Sequence, residues 1–185
     1  MEKILLNTPF TEEKAANLKC GDMVLISGIL YTARDAAHLR MVANISQQKE
    51  LPFGLKDAII YYAGPSPSRP GKVSGSFGPT TSSRMDKMTL PLLENGLRGM
   101  IGKGLRSQEV IQGIRSNKAV YFAALGGAGA LISNSIKSIE IMAYDDLGTE
   151  AVRKLIVEDF PAVVAIDSRG ACIYDIERQK YQTGC

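Results

Sequence analysis

Apolar and polar positions along this chain fall into short blocks whose period changes repeatedly, as in proteins that mix strands with helices. Lys3 to Phe10 reads as a strand, and Thr11 followed by Glu12 and Glu13 supplies the cap and first-turn acids of a short helix. Met23 to Thr32 is rich in Val, Ile, Leu and Tyr and predicts a strand interrupted at Gly28 by a bend or hairpin. From about Arg34 to Lys49, Ala37, Met41, Val42 and Ile45 recur at helical spacing and predict a helix with one buried stripe. Ala58 to Ala63 is a short β-rich run ended by Gly64-Pro65. A segment rich in Pro, Ser and Gly continues to Pro79 as a connector or a functional loop. Thr89 to Asn95 fits a short helix with Pro91 in its first turn, and Ser107 to Ser116 a second one with Ser107 as cap.

The remainder predicts a buried strand at Ala119 to Leu125, a tight turn at Gly126-Gly127-Ala128-Gly129, a helix at Ala130 to Ile136 and a strand at Ser138 to Tyr144. Two more strands, Val152 to Val157 and Ala162 to Asp167, precede a turn at Ser168-Arg169-Gly170 and a last strand through Tyr174. Strands alternating with helices and closing on a hairpin imply an α/β fold with a mixed sheet. At 185 residues, the whole of 1–185 is expected to form a single domain with a substantial apolar core.

Composition narrows the function classes. No apolar run approaches the ~20 residues of a membrane span, and Ile4-Leu5-Leu6 falls far short of a secretory core, so the expected location is the cytoplasm. A net charge of +3 is too small for a phosphate-tracking surface, which argues against nucleic acid as a partner. Cys20, Cys172 and Cys185 are dispersed, odd in number and lack a Cys-x-x-Cys pair, so they read as reduced thiols rather than metal ligands.

Three segments carry candidate chemistry. Gly78-Pro79-Thr80-Thr81-Ser82-Ser83-Arg84-Met85-Asp86 sets four hydroxyls before a planar cation, a set that suits a small carboxylate or phosphate; the bland alternative is a turn that caps the next helix. Thr32-Ala33-Arg34-Asp35-Ala36-Ala37-His38 puts an Arg at a helix N-terminus, where the helix dipole disfavours a cation. That Arg calls for an acid beside it: either a ligand or a local partner such as Asp35. His38, the only histidine, lies one turn into that helix and is read as packing or bonding Asp35 rather than as a general base. Ile101-Gly102-Lys103-Gly104 sets a Lys between glycines but lacks the spacing of a nucleotide-binding P-loop. The Gly126 turn likewise lacks the third glycine of a dinucleotide loop.

These segments, together with Val157-Glu158-Asp159-Phe160-Pro161-Ala162, resemble the β subunit of two-subunit class I fumarases and the matching C-terminal domain of single-chain fumarases and tartrate dehydratases. The resemblance covers nearly the whole chain. It implies a swivelling β/β/α domain that closes on a larger α subunit, with a four-iron, four-sulfur (4Fe-4S) cluster held by three cysteines of that α subunit and by none of this chain. It further implies reversible hydration of fumarate to L-malate, with Thr80 moving the carbon-bound proton and Arg34, Thr81, Arg84 and Lys103 binding the substrate. Alternatives are a tartrate dehydratase or another hydro-lyase of C4 dicarboxylates, or a non-catalytic module that binds a small diacid.

Overall fold

The computed structural model describes residues 3–67, 71, 73, 75–124 and 129–181. In chain order the elements are β1 (Ile4–Asn7), α1 (Glu12–Asn17), β2 (Met23–Thr32), α2 (Asp35–Ser46), β3 (Ile59–Tyr61), α3 (Asp86–Glu94) and β4 (Gly99–Gly102). There follow α4 (Gln108–Ser116), β5 (Val120–Ala123), α5 (Gly129–Ser135), β6 (Ile136–Ala143), β7 (Val152–Ile166) and α6 (Ile173–Tyr181). The fold is α/β with one mixed sheet: β1 and β3 both lie parallel to β2, and β4 and β5 continue the parallel set. β7 runs antiparallel to β5 on one side and to β2 on the other, so the ladder β2-β3-β4-β5-β7 closes on itself, with β6 alongside β7. No helix among the described residues is long and apolar enough to cross a membrane.

Closure separates two cores. Inside the ring, Ile26, Leu30, Tyr61, Ile101, Phe122, Leu155, Phe160 and Val164 pack together with Phe10. On the outer face, Ile60, Tyr62, Met100 and Tyr121 meet residues of the helices α2, α3 and α4, among them Ala37, Met41, Leu92, Leu93, Val110 and Ile114. Adjacent residues of β3, β4 and β5 are therefore buried on opposite faces, the usual reason why parallel strands read as unbroken apolar runs.

β7 is a single strand of 15 residues, where the sequence pattern suggests two. Leu155 and Val157 face the inner core, and so do Phe160, Ala162 and Val164; the parity switches because one extra residue is inserted between the partners of Ile26 and Gly28. Asp159, at φ 52°, lies in this bulge, and its N–H donates to Ser27 Oγ at 3.0 Å. A broken period of two looks like two strands even though the backbone continues. β2 likewise runs on past Gly28, with no hairpin: Gly28 has φ 113°, a side chain there would collide with Thr8, and Thr8 Oγ1 accepts from Ile29 N at 2.6 Å.

Both predicted caps form. Thr11 Oγ1 accepts from Lys14 N, and Ser107 Oγ from Val110 N at 3.3 Å. Two elements differ from expectation. α3 begins at Asp86, so Pro91 is inside the helix rather than in its first turn, and its missing N–H falls opposite the carbonyl of exposed Lys87. Tyr174 belongs to α6 and not to a strand; Cys172 makes one bridge to Ile166 before the chain turns helical. The turn predicted at Gly126 to Ala128 lies outside the described residues.

Candidate active site at the carboxyl ends of the parallel strands

β2, β3 and β4 end side by side, and each delivers one of the three chemical segments. In α/β folds built on parallel strands, open or closed, ligands bind at the carboxyl ends of the strands, because the loops there can vary without disturbing the ladder. After β3 the chain returns so that Thr80 N donates to Tyr62 O at 2.7 Å, while Ser82 N donates to Lys103 O at 2.9 Å. Thr80, Thr81 and Ser82 are thereby threaded between the ends of β3 and β4, with Thr81 bridged to Lys103. Gly102 is needed at this crossing, since a Cβ there would run into Ser82 Oγ. Ser82 Oγ shares a hydrogen bond of 2.9 Å with Tyr121 Oη, and Tyr121 also donates to Gly104 O, which fixes the threaded loop from below.

A 3₁₀ turn, Ser82–Met85, then carries Arg84 to the start of α2, where its Nε donates to Asp35 Oδ1 at 2.8 Å. Arg84 is half exposed, and only Nε is engaged among the described residues. Arg34 is the N-cap of α2; its Nη2 is 3.2 Å from Glu150 and 4.0 Å from Asp35. Arg34 Nε and Asp35 Oδ2 are buried without a hydrogen-bond partner. Lys103 is exposed, Thr81 exposed and Thr80 half-buried. All five residues singled out in the sequence thus sit at one end of the ring, in two subgroups: Thr80 and Thr81 with Lys103, and Arg84 with Arg34 through Asp35.

His38 faces the core beneath this surface. It is fully buried, and its Nδ1 donates to the carbonyl of Arg34 at 2.9 Å, so the expected bond to Asp35 is replaced by one to backbone. The same carbonyl accepts from His38 N at 2.8 Å. Burial pushes the imidazole down to about 4, against the opposing influence of that bond and with Arg106 adding to the penalty. A neutral ring with Nδ1 protonated leaves Nε2 as an acceptor, buried and unpartnered, edge-on to Tyr62.

Asp35 and three residues without a candidate role in the sequence complete the arrangement. Glu150 is the acid that Arg34 calls for, brought in from far along the chain. Asp35 joins the two arginines. Arg106, whose side chain is wholly buried, donates to Asp86 at 2.7 Å and to Thr89 at 2.8 Å, and lies over the rings of Tyr62 and Tyr121. Asp86 also accepts from Ser107 N at 2.7 Å, so one carboxylate ties the hydroxyl-rich loop to the segment after Lys103. The local signal was present, since Asp86 closes one motif and Arg106 follows another by two residues, but nothing local pairs them.

Cys20 and Cys172 are elsewhere. Cys20 N donates to Asp167 Oδ2, beyond the end of β7 and beside the start of β5, at the opposite end of the ladder. Burial, then Asp167, Cys172 and Asp22, push the Cys20 thiol up to about 11, so in this chain on its own it is held as a protonated thiol. Among the described residues no three His, Cys, Asp or Glu gather as a metal-binding group, and Cys185 lies outside them.

A family model described as Fumarase C-terminus matches residues 1–176. A protein of Methanocaldococcus jannaschii named for the beta subunit of L(+)-tartrate dehydratase is 38% identical over 92% of this chain and 90% of its own length. The anaerobic class I fumarate hydratase of Escherichia coli is 39% identical over 91% of this chain, and fumarate hydratase 2 of Leishmania major 36% identical over 93%. This chain spans only 31% of the length of each of those two fumarate hydratases.

Proposed function

The chain belongs to the Fumarase C-terminus family, and from that premise we propose that it is the smaller, substrate-clamping subunit of an iron–sulfur hydro-lyase that interconverts fumarate and L-malate. On this reading its 185 residues form one swivelling domain that closes, in the cytoplasm, on an α subunit carrying a 4Fe-4S cluster. That cluster would supply a Lewis acid for the hydroxyl that is added or lost. On this reading the cysteine ligands of the cluster belong to the α subunit, and the chain's own part is to hold the diacid and to move its carbon-bound proton.

One observation carries the reading: two subgroups, one of Arg34 and Arg84 joined through Asp35 and one of Thr80 and Thr81 beside Lys103, lie at the same end of the parallel strands, in a family whose relatives include fumarate hydratases. Hydration of a C4 diacid builds negative charge next to one carboxylate, and fixed cations placed where that charge develops stabilise the transition state more than the ground state. Among the described residues the terminal nitrogens of Arg84 are unengaged and suit a two-pronged contact, and Lys103 offers an exposed ammonium. Thr80 is the residue assigned to the carbon-bound proton, an assignment that requires a neighbour to activate a weak hydroxyl base.

Tartrate is the second reading, because the relative named for tartrate dehydratase matches nearly end to end. Anaerobic co-purification with the cluster-bearing subunit, followed by assays on fumarate, L-malate, tartrate and methylfumarate, tests both. Turnover of fumarate supports the first reading, and turnover of tartrate alone supports the second. A complex inactive on all four that still binds a small diacid would reduce the chain to a binding module.

A further inference from the structure

Glu150 reaches the candidate site from the end of a 3₁₀ segment, Asp145–Glu150, kinked at Gly148 (φ 56°), and its two carboxylate oxygens have separate partners. Oε2 accepts from Ala36 N at 2.9 Å, in the first turn of α2, where backbone donors have no partner within the helix. Oε1 stands 3.2 Å from Arg34 Nη2. The N-cap of α2 ordinarily carries Ser, Thr, Asp or Asn; here it is Arg34, which makes no side-chain cap bond. A single carboxylate, contributed from 114 residues along the chain, thus supplies both the missing cap and the countercharge to the Arg.

The turn that carries Glu150 is itself held on both flanks. The buried guanidinium of Arg153 donates to the carbonyls of Gly148 at 2.6 Å, Thr149 at 3.2 Å and Ala151 at 3.1 Å, which bracket Glu150. Arg40 of α2 pairs with Asp146 at the start of the turn. A buried arginine committed to backbone carbonyls leaves the turn little freedom. Arg34 and Glu150 are about one-fifth exposed, so their pair is neither fully solvated nor sealed.

We infer that Glu150 is a positioning residue: it holds the Arg34 guanidinium in place for a substrate carboxylate without touching the substrate itself. The inference rests on the proposed dicarboxylate chemistry of this site. An arginine fixed before the substrate arrives loses less freedom on binding, so its contact is stronger than that of a mobile one.

Glu150→Gln in the assembled complex tests this, since Gln keeps an oxygen for Ala36 N–H and removes the charge that orients Arg34. The expected result is a fall in kcat/KM of about 10- to 100-fold, carried mainly by KM, with the complex assembling normally. Asp146→Asn removes the other link between the turn and α2 and is expected to leave KM within about twofold. Because Glu150 acts through Arg34, the double variant Arg34→Gln/Glu150→Gln is expected to be no worse than Arg34→Gln alone. Unchanged KM in Glu150→Gln, full additivity in the double variant, or an equal defect in Asp146→Asn would each overturn the inference while the wild-type complex remains active. A wild-type complex that turns over no C4 diacid overturns the functional reading and this inference with it.

Discussion

Thr80 and His38 are the two residues whose side chains could be asked to move a proton, and their surroundings separate them. Thr80 is half-buried in the loop threaded between Tyr62 and Lys103, whereas His38 is sealed under α2 with Nδ1 committed to the Arg34 carbonyl. Thr80→Val keeps the shape and removes the hydroxyl, and a lost acid–base group typically costs 10²–10⁴-fold. It is expected to lower kcat on that scale in an assembled complex, and solvent exchange of the C3 proton of malate is the measurement that isolates the step. His38 makes a different prediction. Its folded value of about 4 lies below its ordinary 6.5, so the unfolded chain binds a proton that the folded chain refuses. Stability is complete above about pH 6.5 and falls as the pH drops toward 4, by on the order of 3 kcal/mol from this residue. Urea unfolding of the full chain at pH 7, 5.5 and 4.5 measures that slope, and His38→Gln is expected to flatten it.

Among the elements, the junction that matters most is α3 against the start of α4. Asp86, the first residue of α3, carries a buried arginine and a backbone N–H of the next loop, and Arg106 has no other carboxylate within reach among the described residues. Removing one partner of a buried pair leaves the other charge uncompensated, which costs about 3–5 kcal/mol. Asp86→Ala is therefore expected to destabilise the chain by that amount in denaturant titration. It is also expected to loosen the Thr80 loop, readable as faster amide exchange at Thr80 and Ser82, whose N–H groups bond Tyr62 and Lys103. Asp86→Asn, which keeps both acceptor and shape, is expected to cost less. A result in which Asn and Ala are equally mild would place the stability of this junction in the surrounding apolar contacts instead.

For the whole molecule, the closed ladder sets the candidate site at one end and Cys20 and Cys172 at the other, and this separation is testable. Cys20→Ser, Cys172→Ser and Cys185→Ser are each expected to leave cluster content and turnover of the assembled complex unchanged, as read by iron analysis and by the fumarate assay. Loss of the cluster in any one of them would assign that residue a ligand role. Cys172 is buried against the outer core, so its replacement is the one expected to lower the thermal midpoint.

Much of the fold was legible along the chain because its signals act between near neighbours. Thr11 and Ser107 cap the helices they precede, Ala37 and Met41 of the α2 stripe are buried with Ile45 partly so while Val42 stays outside the core, and the apolar runs at β3 and β5 are strands covered on both faces. The candidate residues were legible for a related reason: Arg34 and Lys103 lie in compact motifs directly after β2 and β4, which parallel strands deliver to one end, whereas the compact motif of Thr80, Thr81 and Arg84 follows β3 only at a distance along the chain and is held there by backbone bonds to Tyr62 and Lys103. Other features depended on which distant segments meet. The bulge at Asp159 erased the alternation that would have revealed β7 as one strand, and a bulge is set by the partner strand rather than by local preference. The anomalous Arg34 announced the need for an acid, but only the approach of the turn ending at Glu150 decided which acid, and only the meeting of two loops paired Arg106 with Asp86. Periodicity and capping are written within a few residues of the chain, whereas the choice of a countercharge is made by tertiary packing, which brings one carboxylate within reach and leaves the others in water.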